Sequence, residues 1–106
     1  MLGEAIVGGE SGANTIATVY AAAIAERARR DGTSLATIVG RVSAHEIGHL
    51  LLGTNAHASH GLMRASWDVQ RIGRGDWDFT IEDAATIRRR LQPHETARVL
   101  VARADP

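Results

Sequence analysis

One stretch of the chain combines two histidines and a glutamate with a strongly apolar sequence. His45 and His49 are four residues apart, and Glu46 directly follows the first of them. Residues with this spacing lie one above the other on a helix, with Cβ atoms roughly 5–6 Å apart, so both imidazole rings can converge on one point. The apolar residues nearby are Leu35, Ile38, Val39, Val42, Ile47, Leu50, Leu51 and Leu52. They predict a central helix over residues 35–52 that is buried around most of its circumference.

Local signals mark both ends of this predicted helix. Thr33 or Ser34 is a suitable N-cap residue, and Gly53 can adopt the left-handed conformation that ends a helix. Gly40 and Gly48 lie inside the helix, where each glycine costs up to about 1 kcal/mol relative to alanine. We therefore expect a close approach of other atoms to the backbone at both glycines.

Three polar side chains on a buried helix need partners, because an unpaired buried polar group costs about 1–3 kcal/mol. A metal ion and its water would satisfy all three. The order His45-Glu46-x-x-His49 is a zinc-binding signature, in which the histidines bind the ion and the glutamate takes a proton from water. We therefore predict one Zn²⁺ bound by His45 and His49, with Glu46 as general base.

A catalytic zinc site takes a third protein ligand and leaves the fourth position to water. Gly53 turns the chain back, and the loop that follows carries His57 and His60. We favour His57 as the third ligand, and His60 stays an alternative third or fourth ligand.

This stretch resembles the metzincin-type zinc metallopeptidases, whose pattern is H-E-x-x-H-x-x-G-x-x-H followed by a methionine turn. Gly53 comes one position later than in that pattern and His57 two positions later, whereas Gly61-Leu62-Met63 resembles the methionine turn. The chain is also similar to small bacterial proteins of the form H-E-[IL]-G-H-L-L-L-G-x-x-x-H-x-x-x-G-[IL]-M-R-x-x-W, where Trp67 completes the pattern. The resemblance covers residues 39–68. It implies peptide-bond hydrolysis and a role for Met63 as a hydrophobic base beneath the metal.

Length and composition narrow the class of protein. We expect one domain over the 106 residues, and the lack of cysteine excludes disulfides, thiolate zinc ligands and a cysteine nucleophile. The zero formal charge predicts no nucleic-acid or membrane partner. The sequence shows neither the pattern of a signal peptide nor a run of about 20 apolar residues that could span a bilayer. We expect a soluble protein, with the cytoplasm favoured, that acts on a peptide or protein substrate.

The flanking sequence predicts a small α+β domain that is predominantly helical. Residues 4–7 and 15–20 are predicted strands of an N-terminal hairpin. The second strand is a candidate edge for pairing with an extended peptide or with a second copy of the chain. Residues 21–30 are predicted to form a helix, with Ala21, Ala22, Ala23, Ile24, Ala25 and Ala28 facing inward and Glu26, Arg27, Arg29 and Arg30 on the wet face.

Beyond Met63, Ser66 is a candidate cap for a short helix that reaches residue 72. Trp67, Trp77 and Phe79 are predicted to pack on the central helix, with a substrate pocket as the alternative role. Residues 80–83 resemble a capping box that opens a helix ending near Leu91, before Gln92-Pro93. Residues 94–106 are predicted to be a weakly ordered tail.

Two other classes of function stay open at this point. The domain could be a non-catalytic binding module that is stabilised by zinc, with His45, His49, His57 and His60 all bound. It could also resemble the cytoplasmic repressor-cleaving peptidases, in which an acidic residue such as Glu82 is the third ligand.

Overall fold

The computed structural model of the protein describes residues 1–8, 15–65 and 77–104, with side chains up to residue 92. These residues form two strands and three helices, namely β1 (Gly3–Ile6), β2 (Ile16–Val19), α1 (Ala21–Asp31), α2 (Leu35–Leu52) and α3 (Ile81–Ala104). The strands pair antiparallel, with Gly3 opposite Val19 and Ile6 opposite Ile16. The predicted small α+β fold with an N-terminal hairpin is confirmed.

The long helix α2 lies at the centre of the fold and contacts both strands and both other helices. Its buried apolar residues, Ile38 and Val42, join a core formed with Ile24, Ala28, Leu62, Met63 and Trp77. Leu35, Val39 and Ile47 are each more than a third exposed. The prediction of burial around most of the helix was therefore wrong, because the described elements cover only one side of α2.

The predicted ends of α2 are confirmed. The Ser34 hydroxyl accepts a hydrogen bond from the Thr37 N–H at 3.4 Å, which satisfies a free donor of the first turn. Gly53 has a φ of 70°, and its N–H donates to the His49 carbonyl. Arg90 of α3 donates from Nε to the Leu51 carbonyl at 2.9 Å. Both ends of the helix that carries the histidines are thus held in place.

The third helix differs from its prediction. The Thr80 hydroxyl accepts a hydrogen bond from the Asp83 N–H at 3.0 Å, as the predicted cap requires. However, α3 continues through Pro93 to Ala104 and does not end at Gln92-Pro93. Proline removes one backbone donor, but the residues after it include alanine, arginine and leucine, which favour helix. The predicted tail is therefore helical as far as Ala104.

Two aromatic residues just before α3 pack in the core. Trp77 is buried in the core cluster, and Phe79 packs against it. The guanidinium carbons of Arg41 and Arg64 lie 5.3 and 4.7 Å from the Trp77 ring centroid. The predicted packing role is confirmed for Trp77 and Phe79. Trp67 and the predicted helix from Ser66 to residue 72 lie outside the described residues.

The two glycines inside α2 have different surroundings. A Cβ atom at Gly48 would lie 2.5 Å from Met63 Sδ and 3.0 Å from Phe79 Cε1. A Cβ atom at Gly40 would meet nothing within 4 Å in the described part of the chain. The predicted close approach is confirmed at Gly48 and wrong at Gly40, which lies on the uncovered side of the helix.

This contrast predicts opposite effects for two matched substitutions. Gly40→Ala should raise the free energy of unfolding by about 0.5–1 kcal/mol, because alanine restricts the unfolded chain and favours helix. Gly48→Ala should lower it by about 1–3 kcal/mol, because the new methyl group overpacks the buried Met63 side chain. Urea unfolding of both variants measures the difference. Equal effects at the two positions would contradict the packing described for Gly48.

Candidate metal centre

His45 and His49 bring their rings together on the buried side of α2. Both residues are buried, at 6% and 3% exposure. Their ring centroids are 4.8 Å apart, and the two Nε2 atoms lie 3.2 Å from each other. The helical spacing that the sequence suggested therefore produces a direct approach of two potential ligand atoms.

The loop after α2 adds the ring of His57 to this pair. Gly53 starts the return of the chain, and the Ala58 N–H donates to the Met63 carbonyl at 2.9 Å, which closes the loop. The His57 ring centroid lies 5.4 Å from that of His45 and 4.9 Å from that of His49. One ligand nitrogen from each of the three histidines lies within 4.8 Å of the others, which is close enough to hold a metal ion.

The other candidate ligands lie outside this group. His60 is exposed, and its Nδ1 pairs with the Ser59 hydroxyl at 3.1 Å. Glu82 is exposed in the first turn of α3. Among the described residues, the group that could hold a metal consists of His45, His49 and His57 alone.

Two backbone carbonyls orient the buried rings. His45 Nδ1 donates to the Leu62 carbonyl at 2.7 Å, and His49 Nδ1 donates to the Thr54 carbonyl at 3.0 Å. A carbonyl oxygen only accepts, so each neutral ring carries its proton on Nδ1 and its lone pair on Nε2. Such outer hydrogen bonds fix the tautomer and the orientation of metal-binding histidines. Both buried rings are thus prepared to act as ligands through Nε2.

The distance between these lone pairs suits a tetrahedral ion. Nitrogen ligands at about 2.0–2.1 Å from Zn²⁺ lie roughly 3.3–3.4 Å apart in a tetrahedral site. The observed Nε2 separation of 3.2 Å is close to this value. Burial lowers the pKa of His45, despite an opposing effect of its hydrogen bond to Leu62, and also lowers the pKa of His57. The neutral form, which binds metal, is therefore favoured.

Glu46 lies beside the histidines and under the start of β1. It is 8% exposed, and a Cβ atom at Gly3 would lie 3.0 Å from Glu46 Cγ. Burial raises the pKa of Glu46, the nearby His49 opposes this rise, and Glu4 adds to it. A carboxylate with a raised pKa is a stronger base than one in water, which suits a role in accepting a proton.

A cleft of about 470 Å³ gives access to the group. Its described lining comprises Met1, Leu2, Gly3, Arg27, Val42, His45, Glu46, His57 and Ala65. The strand beside the cleft is therefore β1, whereas the sequence pointed to the second strand of the hairpin. Trp77 and Phe79 do not belong to this described lining, so the alternative of a pocket built from them gains no support.

Gly61, Leu62 and Met63, which the sequence likened to a methionine turn, form a tight, buried turn. Gly61 has a φ of 76°, and the Leu62 N–H donates to the Asp78 carbonyl at 2.8 Å. Met63 is 1% exposed, and its sulfur lies against the backbone of Gly48, the residue before His49. The same turn thus supplies the carbonyl that orients His45 and a side chain that packs under the histidine-bearing helix.

The predicted faces of α1 were wrong for Ala21 and Ala22, which are exposed, and for Arg27. The Arg27 side chain was assigned to the wet face of the first helix, but it is only 22% exposed and lines the cleft. Asp31, four residues later, pairs with it at 2.7 Å. The sequence did contain a signal for this position. Arg27 and Asp31 are four residues apart, as an ion pair on a helix requires, and they lie next to Ile24 and Ala28 of the inner face.

None of the protein-family models, curated proteins or solved structures compared with this chain matches it. Among the described helices, none combines the length and the apolar character needed to cross a bilayer. The chemistry of the histidine group and of the cleft is therefore the remaining indication of function.

The lowered pKa of His45 predicts the pH dependence of the metal-free protein. Between the folded pKa and the ordinary value of 6.5, the unfolded chain binds more protons than the folded chain. The free energy of unfolding should therefore fall as pH drops below 6.5. The raised pKa of Glu46 acts in the opposite direction above its ordinary value of 4.5. Urea unfolding in the presence of a chelator should show a shallower pH dependence in His45→Gln and a steeper one in Glu46→Gln.

Proposed function

We propose that this protein is a small zinc-dependent metallopeptidase that resembles the metzincin type. One observation carries the proposal: three histidine rings converge beside a buried glutamate at the wall of a cleft. His45, His49 and His57 would hold one Zn²⁺, and a peptide or protein would be the substrate.

The type of ligand supports zinc. Three imidazoles without thiolates are typical of catalytic zinc sites, which keep a fourth position for water, whereas structural sites are closed by four ligands. His57 is exposed and lines the cleft together with His45. Such an ion would therefore face the cleft, where a substrate can reach it. When bound, zinc lowers the pKa of a water molecule and polarises a carbonyl group.

The residues of the chain supply the rest of the proposed mechanism. Glu46 accepts a proton from the attacking water and delivers it to the leaving amine. The Leu62 and Thr54 carbonyls hold His45 and His49 in the tautomer that binds metal. Burial raises the pKa of Glu46, which makes its carboxylate a stronger base and suits a group that takes up a proton and then releases it.

The two other classes raised by the sequence find less support in the structure. A closed site with four histidines needs His60, which is exposed and pairs with Ser59. A repressor-cleaving type of site needs Glu82, which does not belong to the described metal-binding group. The arrangement with His57 as third ligand is therefore the one that we propose.

Removal of the third ligand should lower the zinc content. In His57→Ala, the affinity for zinc should fall by more than the roughly 10- to 100-fold loss that is typical for outer partners, because a direct ligand is lost. His60→Ala is the matched control from the same loop and should keep one zinc per chain. Elemental analysis after dialysis measures both. The reverse ranking would show that His60, not His57, is the ligand.

Replacement of the proposed base should separate binding from catalysis. Glu46→Gln keeps the shape of the side chain beside Gly3 but cannot accept the proton, so zinc should stay bound while peptide hydrolysis falls by about 10²- to 10⁴-fold. A library of internally quenched peptides measures the activity. Glu82→Gln, on the exposed start of α3, is the control and should keep full activity. Retained hydrolysis in Glu46→Gln would remove Glu46 from the mechanism.

A further inference from the structure

One cationic side chain of the cleft comes from α1. Arg27 lines the cleft together with His45, Glu46 and His57. Its side chain is 22% exposed, whereas that of Arg29, two residues later, is 71% exposed and pairs with Glu26. Arg27 is thus more buried than Arg29 and, unlike Arg29, belongs to the described lining of the cleft.

The position of Arg27 is fixed by an unusual partner. Its Nε donates to Asp31 Oδ2 at 2.7 Å, and the Asp31 side chain is only 11% exposed. Asp31 is the last residue of α1, where the helix dipole disfavours a carboxylate. An arginine placed four residues before an acid is also the weaker orientation of a helical ion pair. The pair therefore adds little to the stability of the helix. Its clear effect is to hold the guanidinium group of Arg27 in one orientation.

The guanidinium group keeps donors for a ligand. Arginine has five N–H donors, and the contact with Asp31 uses the one on Nε. The two terminal nitrogens carry the remaining four, in the planar fork that binds a carboxylate through two parallel hydrogen bonds. Met1, Leu2 and Val42 add apolar lining to the same cleft. The cleft thus combines an anion-binding group and apolar surface with the metal centre.

We propose that Arg27 binds a carboxylate of the substrate and thereby selects peptides with a carboxylate close to the scissile bond. This inference rests on the proposed peptidase function of the histidine centre. The volume of about 470 Å³ lies within the usual range of roughly 300–1,000 Å³ for small-molecule pockets. The carboxylate is either the C-terminus of a peptide or the side chain of an acidic residue, since both offer the same two oxygens.

Three sets of peptides with a common apolar core test the proposal on the zinc-loaded protein. The first set ends in a free carboxylate, the second ends in an amide, and the third ends in an amide but carries one internal glutamate. The wild type should cleave the first or the third set with a kcat/KM about 10- to 100-fold above that of the second, and the favoured set identifies the source of the carboxylate. Equal rates for all three sets would overturn the proposal.

Variants of Arg27 and Arg29 test whether Arg27 causes the preference for peptides with a carboxylate. Arg27→Gln should reduce the ratio between acid and amide peptides to near one, mainly through a higher KM, while Arg29→Gln should keep the wild-type ratio. Arg27→Gln leaves the carboxylate of Asp31 without its partner, which could impair folding. The double variant Arg27→Gln/Asp31→Asn removes both charges and so avoids an unpaired buried carboxylate. A preference that survives in the folded double variant would overturn the assignment to Arg27.

A binding measurement separates this inference from the proposed function. N-acetyl-leucine and N-acetyl-leucinamide are titrated into the metal-free full chain, and NMR shifts are recorded. The acid should bind in a saturable way that is lost in Arg27→Gln and kept in Arg29→Gln, whereas the amide should not bind. If the zinc-loaded wild type cleaves no peptide, the peptidase proposal fails, yet this titration still decides whether Arg27 binds a carboxylate. Absence of binding, or binding that persists in Arg27→Gln, would overturn it.

Discussion

The arrangement of the centre depends on two hydrogen bonds from histidine rings to backbone carbonyls. His45 donates to Leu62 and His49 donates to Thr54, so both rings turn their Nε2 lone pairs toward each other at 3.2 Å. Two lone pairs at this distance repel unless a cation or a proton lies between them. Burial lowers the pKa of His45 and so opposes protonation of that ring. The geometry therefore suits a group that could hold a metal ion.

The same turn that orients His45 also builds the core. Leu62 provides the carbonyl, and the next residue, Met63, inserts its side chain against Gly48, where α2 has no Cβ atom. The ring of His45 and the packing of Met63 are thus positioned by one short piece of backbone. A change that loosens this packing would also move the carbonyl that sets the tautomer of His45. Core packing and the geometry of the histidine group are therefore coupled in this chain.

Much of the fold and of the centre could be predicted because the signals are local. Ser34 and Gly53 mark the ends of α2 through groups within three or four residues of each end, and the helical spacing alone brings His45 and His49 together. Contacts between elements leave weaker signals, such as the four-residue spacing of Arg27 and Asp31. The position of Arg27 in the cleft depends on how α1 packs on α2, and the open space at Gly40 depends on how few elements surround the central helix.

A metal ion at this centre would also act on the stability of the chain. His45 and His49 belong to α2, whereas His57 and both carbonyl acceptors belong to the segment that follows it, so one ion would join the helix to the loop. A ligand that binds only the folded state stabilises it by about 2.7 kcal/mol when present at 100 times its dissociation constant. Few large side chains of the described core are fully buried, namely Ile24, Ile38, Val42 and Met63. A contribution of that size would be a substantial part of the 5–15 kcal/mol that is typical of a folded domain, so folding and occupancy of the centre are expected to be linked.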